Sequence, residues 1–374
     1  MRFLAFLALC CLSVLAQAQT LPQAPTIAAK SWLLLDYSTG QALASYNPDD
    51  RVEPASLTKL MTAYVVLGAL KEGRLKPDQA LPVSERAWKT PGSRMFIEPK
   101  KPVTVDELLR GMIVQSGNDA CIALAEAVAG SEEAFAQMMN REAQRLGLKA
   151  TRFANATGLS DPQHYSTARD LGALAAALIR DFPEHYPLYA LREYTYNRIT
   201  QANRNRLLWL DPAVDGVKTG HTENAGYCLV ASAKRGPRRL LSVVMGAASD
   251  GMRTQESQKL LNFGFQFFDS VKLYGKDQEV SRLRVWKGAQ NTVRAGFLED
   301  FTLSLPKGMA ENLKASLVSQ QPLLAPVLKG QRIATLKLSL DDRPYGEYPV
   351  VALETVPVAG MIGRAWDAMR LWFE

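Results

Sequence analysis

Pro54-Ala55-Ser56-Leu57-Thr58-Lys59-Leu60-Met61-Thr62 opens a run in which apolar residues recur at helical spacing. Leu57, Leu60, Met61, Tyr64, Val65 and Leu67 form the stripe, and Gly68 and Gly73 weaken and end it. The spacing predicts a helix starting at Ser56, with Ser56 and Lys59 on one face and the lysine nitrogen within reach of the serine oxygen. A serine hydroxyl is too weak an acid to attack an amide at neutral pH without a base beside it, and a positioned base contributes about 10²–10⁴ in rate. Lysine serves as that base only if burial or a neighbouring cation lowers its pKa. Backbone N–H groups at a helix start would also favour negative charge on an acyl oxygen.

The spelling Ser-x-x-Lys is not specific, since Ser304-Leu305-Pro306-Lys307 repeats it. The proline and strand-like surroundings of that copy rule out a helical pair there. Alone, Ser56 also fits a helix N-cap followed by a surface lysine. Ser116-Gly117-Asn118 lies in a loop between two helical patterns, where capping is the plain alternative, and Ser45-Tyr46-Asn47 shares its spelling but precedes Ser56. Lys218-Thr219-Gly220 occurs once, on a predicted strand. Its glycine would let a peptide backbone lie alongside as an extra strand, while Lys218 and Thr219 offer a charge and a hydroxyl to a substrate carboxylate.

Around these motifs the periodicity changes twice. Residues 30–47 predict a hairpin of two short apolar strands about a glycine turn. Helical spacing follows over 105–114, 120–129, 132–146 and 167–179, with Gly, Pro and Asn in the loops between. Residues 214–220, 225–233 and 240–247 predict strands, and 255–268 a closing helix. Strands at both ends of a helical middle place the first hairpin and the last strands in one sheet. Past Gly275 the short alternating runs 301–305 and 333–340 predict a small all-β unit. Over 360–374, Met361, Ile362, Ala365, Trp366, Met369, Trp372 and Phe373 share one helical face, opposite Arg364, Asp367 and Arg370. This amphipathic helix is too short to span a bilayer and is read as an in-plane membrane anchor in preference to a docking helix.

The fold expected is therefore α/β: a helix-rich domain with an antiparallel sheet, then a small β-rich domain and an amphipathic helix. Its boundaries are 1–18, 19–274, 275–356 and 357–374. The first segment has the basic start, apolar run and Ala16-Gln17-Ala18 site of a secretory signal, and its apolar run falls short of the roughly 20 residues of a spanning helix. Cys10 and Cys11 would leave with it. Cys121 and Cys228 each lie in apolar runs and are expected as buried free thiols, with a single disulfide or a reactive thiol as alternatives. An apolar content of 47% in 374 residues supports a sizeable core. The net charge of +7 is scattered among acids, which argues against nucleic acid as partner. The three histidines show no metal-ligand spacing and no Gly-x-Ser-x-Gly elbow exists, so a Ser-His-Asp reading of His221 is rejected.

A helix-borne Ser-x-x-Lys, a loop Ser-x-Asn and a strand-borne Lys-Thr-Gly, in that order, resemble the motif set of penicillin-binding proteins and class A β-lactamases. Over nearly its full length the chain is similar to the low-molecular-mass penicillin-binding proteins that are D-alanyl-D-alanine carboxypeptidases. The likeness extends through Ser116-Gly117-Asn118-Asp119-Ala120, Tyr165-Ser166-Thr167-Ala168-Arg169-Asp170, Asn203-Arg204-Asn205 and Asp215-Gly216-Val217-Lys218-Thr219-Gly220-His221-Thr222. It implies Ser56 as acyl-ester nucleophile, Lys59 as proton acceptor, Ser116 as proton relay and Asn118 as the group orienting the scissile amide. Lys218, Thr219, Gly220, His221, Arg204 and Arg253 would bind substrate, with the oxyanion held by the backbone N–H groups of Ser56 and His221. The implied substrate is a peptidoglycan stem peptide ending in D-Ala-D-Ala, with β-lactams as inhibitors and no cofactor. The implied location is the periplasm, at the outer face of the cytoplasmic membrane. The rivals are a β-lactamase or a D,D-endopeptidase on the same fold, and a non-catalytic wall-binding scaffold.

Overall fold

Ser31–Asp36 and Ala42–Tyr46 pair as the expected hairpin in the computed structural model, which describes residues 22–370. The signal segment and Trp372 and Phe373 lie outside the described residues. Ser31–Asp36 also pairs with Arg238–Ala247, which pairs with Gly226–Arg235 and then with Val214–Thr222. The hairpin and the last strands thus share one five-stranded antiparallel sheet, with Val214–Thr222 on its edge. Leu33 and Leu34 show how the sheet is built. Consecutive strand residues face opposite sides, so Leu33 joins the core with Leu57, Leu171 and Val243, while Leu34 joins Leu229, Val244 and Leu260 on the far face. Both leucines are buried because helices cover both faces.

The helix carrying Lys59 is wrapped by protein on every side, from Lys59 through Leu67. It differs from expectation at its start. Ala55–Thr58 form a 3-10 turn and the α-helix runs Lys59–Lys71. Ala55 stands at φ 48, a left-handed backbone that cannot enter an α-helix, and Leu57 N–H bonds the Pro54 carbonyl in a tight turn. In a 3-10 turn residues i and i+3 eclipse, so the tighter winding stacks Ser56 over Lys59 more directly than an α-helix would.

Val105–Val114 matches the predicted helix and opens with a capping box between Thr104 and Glu107. Asn118–Ala129, Glu132–Arg145 and Ala168–Asp181 follow, the last two capped by Ser131 and Thr167. The closing helix, Asp250–Phe267, begins five residues before the predicted 255 because Ser249 caps it and its first turn is polar.

Phe268–Tyr274 pairs with Phe301–Pro306, and a second five-stranded antiparallel sheet runs Glu279–Arg284, Thr292–Gly296, Arg343–Ala352, Arg332–Leu340, Leu313–Ser319 around Val293, Ile333, Leu336 and Val350. Ser304, the duplicate of the Ser-x-x-Lys spelling, is a buried strand residue here. Its hydroxyl donates to Asp36 Oδ2 at 2.7 Å and its backbone N–H to Gln41 Oε1 at 2.7 Å, joining the two-stranded Phe268–Tyr274 and Phe301–Pro306 pair to the first hairpin. The final helix, Met361–Arg370, is tied down through Asp367, which accepts the Lys287 backbone N–H at 2.6 Å, while Met361, Trp366 and Met369 are 80%, 56% and 50% exposed. Among the described residues no helix is long and apolar enough to cross a membrane.

Candidate active site

Ser56, Ser116, Thr219, Gly220, His221, Arg204 and Arg253 line one cleft of about 690 Å³ between the edge strand and the helical middle. Lys59 lies beneath its floor, 1% exposed. Lys59 Nζ is 2.9 Å from Ser56 Oγ, 2.7 Å from Asn118 Oδ1 and 2.6 Å from the Thr157 carbonyl oxygen. This arrangement selects a role. A neutral amine has two N–H donors and one lone pair. Asn118 and Thr157 offer acceptors to both donors, so in the neutral form the lone pair would be directed at the serine hydroxyl. Burial, with the Arg204 charge adding to it, holds the Lys59 pKa below the ordinary lysine value.

Lys218 is also buried, and its Nζ donates to Ser116 Oγ at 3.0 Å and to the Thr219 carbonyl at 2.9 Å. Desolvation and the Lys59 charge push its pKa well below the usual range. The Ser116 loop is not a helix cap. Gly117 occupies the N-cap of Asn118–Ala129 without a side-chain bond, and Ser116 sits at φ 62, a left-handed conformation uncommon outside glycine. The loop is over-determined by its surroundings. Asp119 Oδ1 accepts the N–H groups of Met95 and Ala120, and its Oδ2 accepts those of Phe96 and Ile97. Asn118 Nδ2 donates to the Pro91 carbonyl at 2.7 Å, so one of its two N–H groups is committed and one remains.

On the opposite wall, Gly220 packs against the Ser56 turn. A Cβ there would meet Pro54 O at 3.0 Å and the nitrogens of Ser56 and Leu57 at 3.2 Å. The sequence pattern assigned this glycine to a passing peptide; the structure gives it the closer task of bringing the edge strand against the Ser56 turn. His221 is exposed, its ring 4.0 Å from that of Tyr227, and no carboxylate partner accompanies it among the described residues. Arg253 is 5% exposed and spans Gly220 O at 3.0 Å and Asp250 Oδ1 at 2.6 Å. Asp250 also pairs with Arg206 at 2.5 Å. Arg204 is exposed into the cleft and makes no hydrogen bond or ion pair among the described residues, which leaves its guanidinium open to a ligand. Its loop is fixed from both sides, since Asn203 Nδ2 donates to Leu191 O and Asn205 Nδ2 to Gly216 O, each at 2.9 Å. Cys121 and Cys228 are free and buried, with burial pushing their thiols up to about 12 and about 11.

Residues 18–249 match the family model for D-alanyl-D-alanine carboxypeptidase, and residues 268–358 that for the penicillin-binding protein 5 C-terminal domain. The chain belongs to the D-alanyl-D-alanine carboxypeptidase family. It is 45% identical over 377 residues to D-alanyl-D-alanine carboxypeptidase DacC of Escherichia coli, covering 99% of this chain and 94% of that protein. With DacA of Haemophilus influenzae it shares 43% over 353 residues, covering 93% and 90%. Penicillin binding protein 5 from Haemophilus influenzae superposes with a TM-score of 0.85 at 42% identity over 90% of this chain and 99% of that one. Penicillin binding protein 6B from Escherichia coli gives 0.73 at 41% identity over 89% and 98%.

Against this carboxypeptidase family's three motifs, the structure adds groups that the motif reading missed. Thr157 and Pro91 act through backbone carbonyls, to which residue type gives no clue. Asp119 was visible as the fourth residue of Ser116-Gly-Asn-Asp, but only the tertiary structure shows that it organises residues 95–97.

Proposed function

We propose that this chain is a serine-type D-alanyl-D-alanine carboxypeptidase that removes the terminal D-alanine from peptidoglycan stem pentapeptides through an acyl-enzyme on Ser56. The lone pair of Lys59, directed at Ser56 Oγ 2.9 Å away, carries this reading. Ser56 attacks the D-Ala-D-Ala carbonyl as Lys59 takes its proton. The developing oxyanion is held by the backbone N–H groups of Ser56 and His221, where one donor is worth about 2.7–4 kcal/mol. Ser116, touching Lys218, relays a proton to the departing D-alanine nitrogen, and the free N–H of Asn118 orients the scissile amide. The open guanidinium of Arg204 receives the terminal carboxylate, with Arg253 and Thr219 lining the same cleft and Lys218 buried behind Ser116. Water then releases the shortened peptide. β-Lactams acylate Ser56 by the same route.

The second sheet, with the helix Met361–Arg370, forms a membrane-proximal unit. The exposed Met361, Trp366 and Met369 support peripheral attachment at the periplasmic face of the cytoplasmic membrane.

Purified protein incubated with fluorescent penicillin should take up label, and with diacetyl-Lys-D-Ala-D-Ala it should release D-alanine. Ser56→Ala should abolish both, and adduct and release unchanged in that variant would sink the assignment. Rapid hydrolysis of the penicillin adduct would favour a β-lactamase instead.

A further inference from the structure

Glu53 takes no part in the chemistry above, yet from a position three residues before Ser56 its side chain joins the end of the edge strand to the loop behind Lys59. Its Oε1 accepts the Thr222 hydroxyl at 2.8 Å and the Ser160 hydroxyl at 2.6 Å. Thr222 directly follows His221 and ends the edge strand. Its Oγ1 also accepts the Ala225 N–H at 3.1 Å, which fixes the turn into the next strand. Ser160 ends the loop that presents the Thr157 carbonyl to Lys59. That loop is itself braced, because Asn155 Oδ1 accepts the N–H groups of Thr157 and Gly158.

The Ser56 turn and the His221 backbone belong to segments far apart in sequence, and the strand carrying His221 has a sheet neighbour on one side only. Gly220 brings the two backbones into contact. Contact prevents closer approach but does not stop sliding or separation. The Glu53 to Thr222 bond supplies the restraint that contact lacks, and it lies at the residue adjoining His221.

We propose that Glu53 is a positioning residue for the acyl transfer: it clamps the Ser56 turn to the end of the edge strand, setting the spacing between the Ser56 and His221 N–H groups. The inference rests on the reading of those two groups as oxyanion donors. A misplacement of 1 Å in such a constellation costs on the order of 10² in rate, so a loosened clamp, with both donors still present, should cost less than that.

The test compares Glu53→Ala, Glu53→Gln and Thr222→Val in the full chain, by penicillin acylation rate and by kcat and KM for diacetyl-Lys-D-Ala-D-Ala, each per folded molecule. Glu53→Ala should lower kcat and acylation about tenfold with KM within about twofold. Glu53→Gln keeps an acceptor at Oε1 and should recover to within about threefold of the parent. Thr222→Val, which leaves Glu53 in place, should resemble Glu53→Ala, and the double variant should be no worse than either single one. Acylation within about twofold of the parent in Glu53→Ala would overturn the proposal, whatever its melting temperature. So would a Gln variant as impaired as Ala, or additive losses in the double variant. If Glu53→Ala fails to fold, Thr222→Val alone decides by the same criteria. Ser56→Ala in the same series separates the two ideas: adduct persisting there defeats the nucleophile assignment, whereas its loss with an unaffected Glu53→Ala defeats only the clamp.

Discussion

Lys59 Nζ stands 2.9 Å from the serine oxygen with two acceptors behind it, so its catalytic use depends on one proton. The protonated amine has no lone pair for the serine's hydrogen. Acylation by penicillin should therefore rise with pH through the Lys59 ionisation and then level. Burial and the Arg204 charge lower that ionisation, so the plateau should be reached below the ordinary lysine value. Stopped-flow acylation across pH measures it, and a rate still climbing at the ordinary lysine value would contradict the assignment. His164 is the residue-scale counterpart in stability. Its Nδ1 accepts the Ala154 N–H, so its Nε2 carries the hydrogen and donates to Thr58 Oγ1 at 2.7 Å, behind the Ser56 turn. Burial pushes its pKa from 6.5 down to about 4. As pH falls through 6.5 the unfolded chain takes up a proton that the folded protein refuses until about 4. Stability should fall across that window by up to about 3 kcal/mol and then become flat with respect to this group. Urea unfolding at pH 7 and pH 4.5 tests it, and the His164→Gln variant should show a smaller loss.

At the scale of elements, the apolar patterns located the long helices and the strands of the first sheet, because burying a face imposes periodicity on the sequence, but past Gly275 they named only 301–305 and 333–340 and passed over the short, half-exposed strands such as Glu279–Arg284 and Leu313–Ser319. They misplaced the beginnings of two helices that matter to the site. The Lys59 helix starts late because Ala55 takes a left-handed backbone, and no residue type announced this. Gly158 explains part of that geometry. It stands at φ 85, and a Cβ on it would lie 1.9 Å from the Ala55 carbonyl oxygen. Gly158→Ala should therefore displace the Ser56 turn or the Thr157 loop. The expected loss is at least about 2 kcal/mol of stability, together with a lower acylation rate. Denaturant unfolding alongside penicillin labelling checks both, and a variant of parental stability would show that the loops part without cost.

Across the whole molecule, Asp36 is fully buried where the first sheet meets the two-stranded Phe268–Tyr274 and Phe301–Pro306 pair, accepting from Ser304 and pairing with Arg238 at 3.1 Å. The two-stranded pair is thereby tied to the first sheet, while Met361, Trp366 and Met369 of the final helix stay exposed. Deleting residues from Gly360 onward should move the protein from the membrane to the soluble periplasmic fraction without loss of penicillin labelling. Retention on the membrane would assign attachment to another part of the chain. The sequence by itself determined the order of the main helices, the sheet shared by the first hairpin and the last strands, and the three motifs, since hydrophobic periodicity and side-chain chemistry are written residue by residue. The duplicate at Ser304 shows the limit of that reading: spelling cannot separate a nucleophile from a buried strand serine. Only the tertiary structure tells their surroundings apart. Lowering a lysine's pKa requires burial, and aiming its lone pair requires acceptors from Asn118 and Thr157, 59 and 98 residues away along the chain. At Ser56 the fold meets both conditions. That convergence is a property of packing, and no local stretch of sequence records it.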